Sequence, residues 1–364
     1  MSRRKQLTVW IGLVISVLFL YLALRNVRFG EIRQALGRVD VGLLVLAAGI
    51  FLISFSVRAV RWRYILRPVQ EIGLGPVFSL LSIGFMANNV LPARLGEFVR
   101  AYFLARKTGI RKSLSLATIL LERLSDFAAL LLSALLFTLF FTMPADMEHA
   151  GIVEHVGIVA GLIFALFIAL LVLVHARTGT VRRLIRTMIT PLGETRSRSL
   201  MERVDAFIQG LLIIRTGKGI LWVFTLSLCV WGLWTVALHV TLRAFHIDVP
   251  FSALLLILAV VNLGALLPSS PGYVGPYHYL CLICLSEVFR VEKSLAFSFS
   301  AVMHALWYVP LTGLGFIFLG KEHLSLSQIR SVEAEMGSEG FPPKDGEPGT
   351  AGPDSVGRGD PDHE

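Results

Sequence analysis

Two long apolar stretches of this chain are interrupted by proline and glycine. The first covers residues 77–105 and is interrupted at 91–96, and the second covers 251–289 and is interrupted at 267–272. A broken helix in hydrocarbon leaves backbone N–H and C=O groups without partners, so it is tolerated only against protein or a water-filled cavity. The pattern therefore predicts two broken or re-entrant segments that face the interior of a helical membrane protein.

Composition supports the same class of fold. Of 364 residues, 55% are hydrophobic and 16% are charged, whereas soluble domains carry roughly 25% charged residues. Six uninterrupted apolar runs approach the roughly 20 residues that cross a bilayer. The sequence predicts an all-α polytopic membrane protein with about six full transmembrane helices plus the two broken segments. The six runs cover residues 7–24, 41–60, 114–142, 152–175, 219–242 and 294–319.

The two interrupted stretches also resemble each other in their flanks. Phe-Ser precedes each break, and Lys-Ser-Leu follows it at 112–114 and again at 293–295. Three crossings separate the two stretches, which would give them opposite orientations. The sequence thus predicts an inverted repeat, with halves at about 41–142 and 219–319, as in alternating-access transporters.

Charge indicates the orientation in the membrane. The connection at 176–218 is rich in arginine, which places it in the cytoplasm by the positive-inside bias. The turn at 143–148 contains acids and no Lys or Arg, which places it outside. We therefore expect a multi-pass protein of the cell (inner, cytoplasmic) membrane with both termini cytoplasmic. The loop at 26–40, external in this scheme, contains three arginines and runs against the bias.

The chain divides into a membrane domain, 1–320, and a tail, 321–364. The tail holds 10 acidic and 4 basic residues and is rich in Gly, Pro and Ser, a composition that predicts disorder. The first apolar run is longer than a signal-peptide core and lacks a small-residue cleavage site, so we expect it to remain as a span. Upstream of the tail, 30 basic residues face 15 acidic ones and flank the spans. They suit anionic lipid rather than nucleic acid.

Three charged residues within one span form the strongest predicted site. Glu122, Arg123 and Asp126 lie in the run 114–142, where an ionisable group costs roughly 3 kcal/mol unless it is paired or hydrated. Glu122 and Asp126 share a helix face, and Arg123 can reach Asp126. The alternative interpretation is a structural ion pair that fixes helix packing.

The first break supplies a second set of polar residues. Asn88 and Asn89 are adjacent amides among apolar neighbours, and Arg94, Glu97 and Arg100 follow at three-residue steps. Exposed backbone donors and a forked guanidinium could hold a phosphate or phosphodiester headgroup. An ordinary charged helix end at the interface is the alternative.

The second break adds further residues to the predicted substrate-binding site, and other segments contribute minor members. Arg58 and Arg61 end the second span, where arginines commonly mark the inner surface. Single histidines in apolar runs are more often packing residues than proton carriers. The set consists of Ser269, Ser270 and Gly272 in the second break, with Arg58, Arg61, Asn262, His278 and His304 as minor members.

Signatures of enzymes, metals and cofactors are missing. The sequence has no Walker loop, no His-Glu-x-x-His helix and no Gly-x-Ser-x-Gly elbow. Cys281 and Cys284 form a single C-x-x-C pair in an apolar run, which favours packing over metal or redox chemistry. We expect no catalytic residue, no cofactor and no metal.

The motifs at 88–100 and 267–272, with Arg58-x-x-Arg61-Trp62 and Glu122-Arg123-x-x-Asp126, resemble the lysylphosphatidylglycerol synthase transmembrane (flippase-like) family. The resemblance covers residues 7 to about 320. It implies a helical membrane fold with re-entrant segments that moves or presents phospholipid or lipid-linked headgroups. The aminoacyl-transferase domain of the best-known members has no counterpart in this chain.

We therefore expect a lipid translocator whose partners are membrane lipids with an anionic or lipid-linked headgroup. A homo-oligomer or a partner transferase is also compatible with the sequence. Two alternatives remain open at this point. One is a membrane-embedded transferase or hydrolase that acts on a lipid-linked substrate, and the other is an accessory subunit of a separate glycosyl- or aminoacyl-transferase.

Overall fold

The fold was analysed in a computed structural model, and every regular element among the residues it describes is a helix. These residues are 3–25, 27–91, 95–140, 158–159, 161–166, 168–169, 172–173, 176–193, 197–198, 200–201, 204–205, 208, 216–264 and 270–329. The principal helices are α1 (Arg3–Leu24), α2 (Phe29–Gly37), α3 (Val41–Leu66), α4 (Leu74–Val90), α5 (Gly96–Thr108), α6 (Lys112–Phe140), α7 (Thr178–Ile189), α8 (Gly217–Ala244), α9 (Phe251–Gly264), α10 (Pro276–Ile283) and α11 (Lys293–Lys321).

Four of these helices are long and apolar enough to cross a membrane. They are α3, α6, α8 and α11, and the end of α1 with α2 forms a further bent pair at an angle of 80°. The prediction of an all-α polytopic membrane protein is confirmed. Half of the predicted span 152–175 lies outside the described residues, as do most of the acidic tail and the whole turn 143–148. The inverted repeat, the domain boundary at 320 and the orientation stay predictions.

Helices end and begin on either side of both predicted interruptions. Helix α4 ends at Val90 and α5 begins at Gly96, and α9 ends at Gly264 and α10 begins at Pro276. The linking segments 91–95 and 265–275 are called the first and the second break, and the structure describes residues 91, 95 and 270–275 of them. Proline cannot donate the backbone bond that a continuous helix needs. Within the second break, Gly272 (φ +71°) and Gly275 (φ +97°) adopt left-handed conformations that favour glycine, and Pro276 then begins α10.

Neighbouring helices are tied together by hydroxyl groups as well as by apolar packing. Ser54 Oγ of α3 donates to the Val230 carbonyl of α8 at 2.8 Å. Ser133 Oγ of α6 donates to the Leu255 carbonyl of α9 at 3.1 Å. Both bonds are buried, and they hold α3 on α8 and α6 on α9 around the centre of the molecule.

Helices α4 and α11 approach closely at Gly315. A Cβ atom at this position would lie 2.1 Å from Met86 Cβ and 2.7 Å from the Ser82 carbonyl oxygen. Since these are atoms of, or next to, the α4 backbone, a methyl group could be accommodated only if the helices separated. Glycine at 315 is therefore required by packing.

We predict that Gly315→Ala lowers the thermal stability of the purified protein in detergent, because overpacking a close contact costs about 1–3 kcal/mol. Gly313→Ala is the matched control, since a Cβ at Gly313 meets nothing within 4 Å. Alanine is also the better helix former there. Equal unfolding temperatures for the two variants would show that the α4–α11 contact is not tight.

Candidate functional site

Three helices bring seven charged side chains together in the interior. The helices are α3, α5 and α6, and the first break allows α5 to reach the other two. The set, called the charge cluster below, comprises Arg58, Arg61, Glu97, Arg100, Glu122, Arg123 and Asp126.

Asp126 is the acceptor at one end of the charge cluster. Its carboxylate oxygens receive Arg58 Nη1 at 2.7 Å and Arg61 Nη1 at 2.5 Å. The indole Nε1 of Trp231 on α8 donates to the same carboxylate at 3.0 Å. Arg123 Nη2 lies 3.7 Å away, the predicted three-residue pairing.

Glu122 is the acceptor at the other end, and its side chain is fully buried. Arg100 Nη2 of α5 donates to one carboxylate oxygen at 2.8 Å, and Arg123 Nη2 donates to the other at 2.7 Å. Arg61 Nη2 lies 3.3 Å from the second oxygen and thereby joins the two carboxylates. A buried charge of this kind is stable only with such partners.

The charge cluster contains four guanidinium groups and three carboxylates, so it carries one formal positive charge in excess. Exposure differs sharply among its arginines. The side chains of Arg61 and Arg100 are 0% and 2% exposed, whereas that of Arg123 is 37% exposed. A structural role, in which an ion pair fixes helix packing, therefore suits Arg61 and Arg100. Arg123 is accessible to a ligand.

A cavity of about 290 Å³ adjoins the charge cluster. Arg58, Glu97, Arg123 and Asp126 contribute its charged lining, and Asn262 of α9 contributes an amide. The remaining lining is largely aromatic: Phe51, Phe55, Phe85, Phe127, Trp231, Trp234, Tyr273, Tyr277 and Trp307, with Ser54, Leu130, Val261, Leu263 and Leu311.

The aromatic lining was not predicted from the sequence. Trp231 and Trp234 are three residues apart on α8, a spacing that places both on one helix face. Tyr273 lies in the second break and Tyr277 lies in α10, so spacing alone does not group these two. That spacing was the available signal. It could not show that faces from separate helices meet around one cavity.

Aromatic rings also hold two of the arginines. The guanidinium carbon of Arg58 lies 5.6 Å from the Phe85 ring centre and 5.5 Å from that of Trp231. The guanidinium carbon of Arg100 lies 3.9 Å from the ring centre of Trp62. Cation–π contacts of this kind stabilise a buried guanidinium, and they fix the positions of both side chains.

Asn88 and Asn89 make contacts within the protein and do not line the cavity. Asn88 Oδ1 accepts the Gly96 backbone N–H at 2.7 Å, and Asn88 Nδ2 donates to Glu97 at 3.2 Å. Asn88 thus holds the start of α5. Asn89 Nδ2 donates to Thr312 Oγ1 at 2.8 Å. Arg94 lies outside the described residues.

The second break is held by two histidines that lie behind the cavity lining. His304 Nε2 lies 2.8 Å from the Gly272 carbonyl, and His278 Nδ1 accepts the Gly275 N–H at 3.4 Å. The Ser270 N–H donates to Ser16 Oγ of α1 at 2.8 Å. These contacts assign a holding role to His278 and His304. Ser269 lies outside the described residues.

One face of α11 contacts the second break and the last turn of α4, which precedes the first break. His304 reaches Gly272 in the second break, whereas the Tyr308 hydroxyl donates to the Asn89 carbonyl beside the first break at 3.2 Å. Thr312 accepts from the Asn89 side chain. The three side chains recur at four-residue steps on one face of the helix.

Several known proteins are similar to this chain over most of its length, among them the following two. This chain is 26% identical over 332 residues to glycosyltransferase AglD of Haloferax volcanii. The aligned region covers 83% of this chain and 52% of the relative. This chain thus spans about half the length of that protein. It is also 26% identical over 304 residues to a UPF0104 membrane protein of Methanothermobacter thermautotrophicus, which covers 79% of this chain and 86% of the relative.

A family model matches a larger part of the chain. The model describes the lysylphosphatidylglycerol synthase TM region, and it covers residues 9–315. This range contains every member of the charge cluster and both breaks, and it agrees with the resemblance seen in the sequence. The chain is therefore a multi-pass, lipid-related membrane protein that belongs to the lysylphosphatidylglycerol synthase transmembrane-region family.

Proposed function

We propose that this protein is a lipid translocator that moves a phospholipid or lipid-linked headgroup between the leaflets of the cell membrane, with both termini in the cytoplasm. The observation that carries the proposal is the cavity beside the charge cluster. It offers Arg123 to an anion in the membrane interior, where the other charges are already paired.

The lining suits a headgroup that must leave water. A phosphate entering hydrocarbon alone loses its hydration, and a guanidinium replaces that hydration with charge-assisted hydrogen bonds. The formal excess of one positive charge in the cluster would be balanced by one phosphodiester. The neighbouring carboxylates keep the arginines in place when the headgroup departs.

The size of the cavity indicates which part of a lipid enters. Ligand pockets measure about 300–1,000 Å³, and this cavity of about 290 Å³ lies at the lower limit. It has room for a headgroup and not for two acyl chains. The chains would therefore stay in the bilayer while the headgroup passes between the helices.

A second role is favoured by one comparison. The chain aligns with about half of glycosyltransferase AglD, so the equivalent membrane region occurs in a longer protein with that name. On this basis the chain could present a lipid-linked substrate to a separate glycosyl- or aminoacyl-transferase. The charge cluster would then bind the same headgroup without moving it unaided.

We predict that Arg123→Gln lowers lipid translocation about tenfold or more, because a hydrogen bond to a charged group contributes about 1.5–3 kcal/mol. The assay uses purified protein in liposomes with labelled phosphatidylglycerol and measures the fraction of label that an impermeant reagent reaches. Arg243→Gln, which removes the same charge from an exposed position at the end of α8, is expected to keep the wild-type rate.

Three outcomes of this assay separate the functions. Altered leaflet accessibility with an unchanged lipid mass supports translocation. A change in the lipid mass would instead show a membrane-embedded transferase or hydrolase. Activity that requires an added transferase would show the presenting role.

We predict that Arg61→Met destabilises the protein strongly, whereas Arg123→Gln does not. Arg61 bonds Asp126 and contacts Glu122 with no exposed side-chain surface, and removal of one partner from a buried ion pair costs about 3–5 kcal/mol. The measurement is thermal unfolding in detergent. Equal losses for the two variants would contradict the division into structural and accessible arginines.

A further inference from the structure

Two donors that belong to cavity-lining residues find no acceptor among the described residues. They are Arg123 Nε and the Tyr277 hydroxyl group, and both atoms are buried. Nearly all buried polar groups in native proteins are paired, so an unpaired donor beside a cavity indicates a partner that binds there. One of these donors is cationic and the other is neutral.

Acceptors lie on the same lining. The Glu97 carboxylate receives Asn88 Nδ2 at 3.2 Å and has Arg123 at 3.9 Å, and its side chain is 25% exposed. Asn262 uses its amino group on the Leu258 carbonyl at 2.8 Å, which leaves its amide oxygen as an acceptor. The cavity therefore combines neutral and charged donors with acceptors that suit hydroxyl groups.

Flat aromatic surfaces complete the lining. Trp231, Trp234, Tyr273 and Trp307 all border the cavity, and the rings of Tyr273 and Trp307 lie 6.3 Å apart. Aromatic faces carry a negative potential and attract partly positive C–H groups. The C–H faces of a sugar ring match such walls, and its hydroxyls match the polar groups between them.

We propose that the headgroup bound in this cavity is a sugar phosphate, and this proposal rests on the proposed function. The phosphate binds Arg123, the sugar ring lies against the tryptophan and tyrosine rings, and ring hydroxyls bond Tyr277, Glu97 and Asn262. A glycerol phosphate would satisfy Arg123 and leave the aromatic faces unused. The volume of about 290 Å³ limits the ligand to a short headgroup such as a single sugar ring.

The proposal is tested by measuring how tightly soluble headgroups bind to the full chain in detergent. Binding is detected through the change in tryptophan fluorescence. Three of the six tryptophans line the cavity. The probes are hexose 1-phosphate, the unphosphorylated hexose and glycerol 3-phosphate. We expect hexose 1-phosphate to bind at least tenfold more tightly than either other probe. Equal affinity for glycerol 3-phosphate, or no binding of hexose 1-phosphate, would overturn the proposal.

Substitution of Tyr277 by Phe provides the residue-level test. The substitution removes the hydroxyl and keeps the ring. We expect hexose 1-phosphate to bind about three- to tenfold more weakly, which is the effect of one hydrogen bond. The affinity for glycerol 3-phosphate should not change. Tyr279→Phe is the matched control on the same helix, because Tyr279 packs on Phe19 at 5.3 Å outside the cavity. Equal effects of the two substitutions on binding would refute the role of Tyr277.

Proteoliposomes distinguish the source of the sugar phosphate and separate this proposal from translocation itself. One arm follows a lipid-linked hexose phosphate through its accessibility to external periodate, and the other follows uptake of free hexose 1-phosphate. Movement in the first arm alone assigns the lipid-linked form. Tight binding with movement in neither arm would refute translocation and leave the ligand class standing. Movement of phosphatidylglycerol without any binding of hexose 1-phosphate would refute the ligand class alone.

Discussion

The arrangement of helices around the centre depends on the pairing of buried arginines with Glu122 and Asp126. A guanidinium or carboxylate in the membrane interior is costly unless a partner of opposite charge meets it. Here the partners come from separate helices, because α3 contributes Arg58 and Arg61 while α5 contributes Arg100. The three helices are therefore fixed relative to one another by charge as much as by packing, and the first break lets the short helix α5 turn inward to complete the set.

The same interactions separate structural residues from accessible ones. Arg61 and Arg100 are enclosed and contact carboxylates, and the guanidinium group of Arg100 also lies over the ring of Trp62. Arg123 contacts the same acids from the cavity side and keeps over a third of its side chain exposed. Within the charge cluster, Arg61 and Arg100 thus contribute to stability, whereas Arg123 is available for ligand binding.

Much of the membrane fold could be predicted from the sequence, because span length and helix interruption are local properties. The runs at 41–60, 219–242 and 294–319 lie within long helices, and α6 covers the run from 114 as far as Phe140. Helices also end and begin on either side of both segments that proline and glycine predicted to be interrupted. The α6 charges were also visible, since a charged group inside an apolar run stands out. The aromatic lining and the difference between Arg100 and Arg123 could not be predicted, because they depend on how each helix is rotated against its neighbours.

The polar face of α11 has a mechanical consequence. His304 and Thr312 lie about 12 Å apart along the helix axis at a rise of about 1.5 Å per residue. Between them, Tyr308 contacts the second break with its ring at Gly272 and the last turn of α4 with its hydroxyl on Asn89. Helix α11 therefore joins the last turn of α4, which precedes the first break, to the second break. If one of these segments moved relative to the other, the hydrogen bonds to α11 would have to break or α11 would have to move as well.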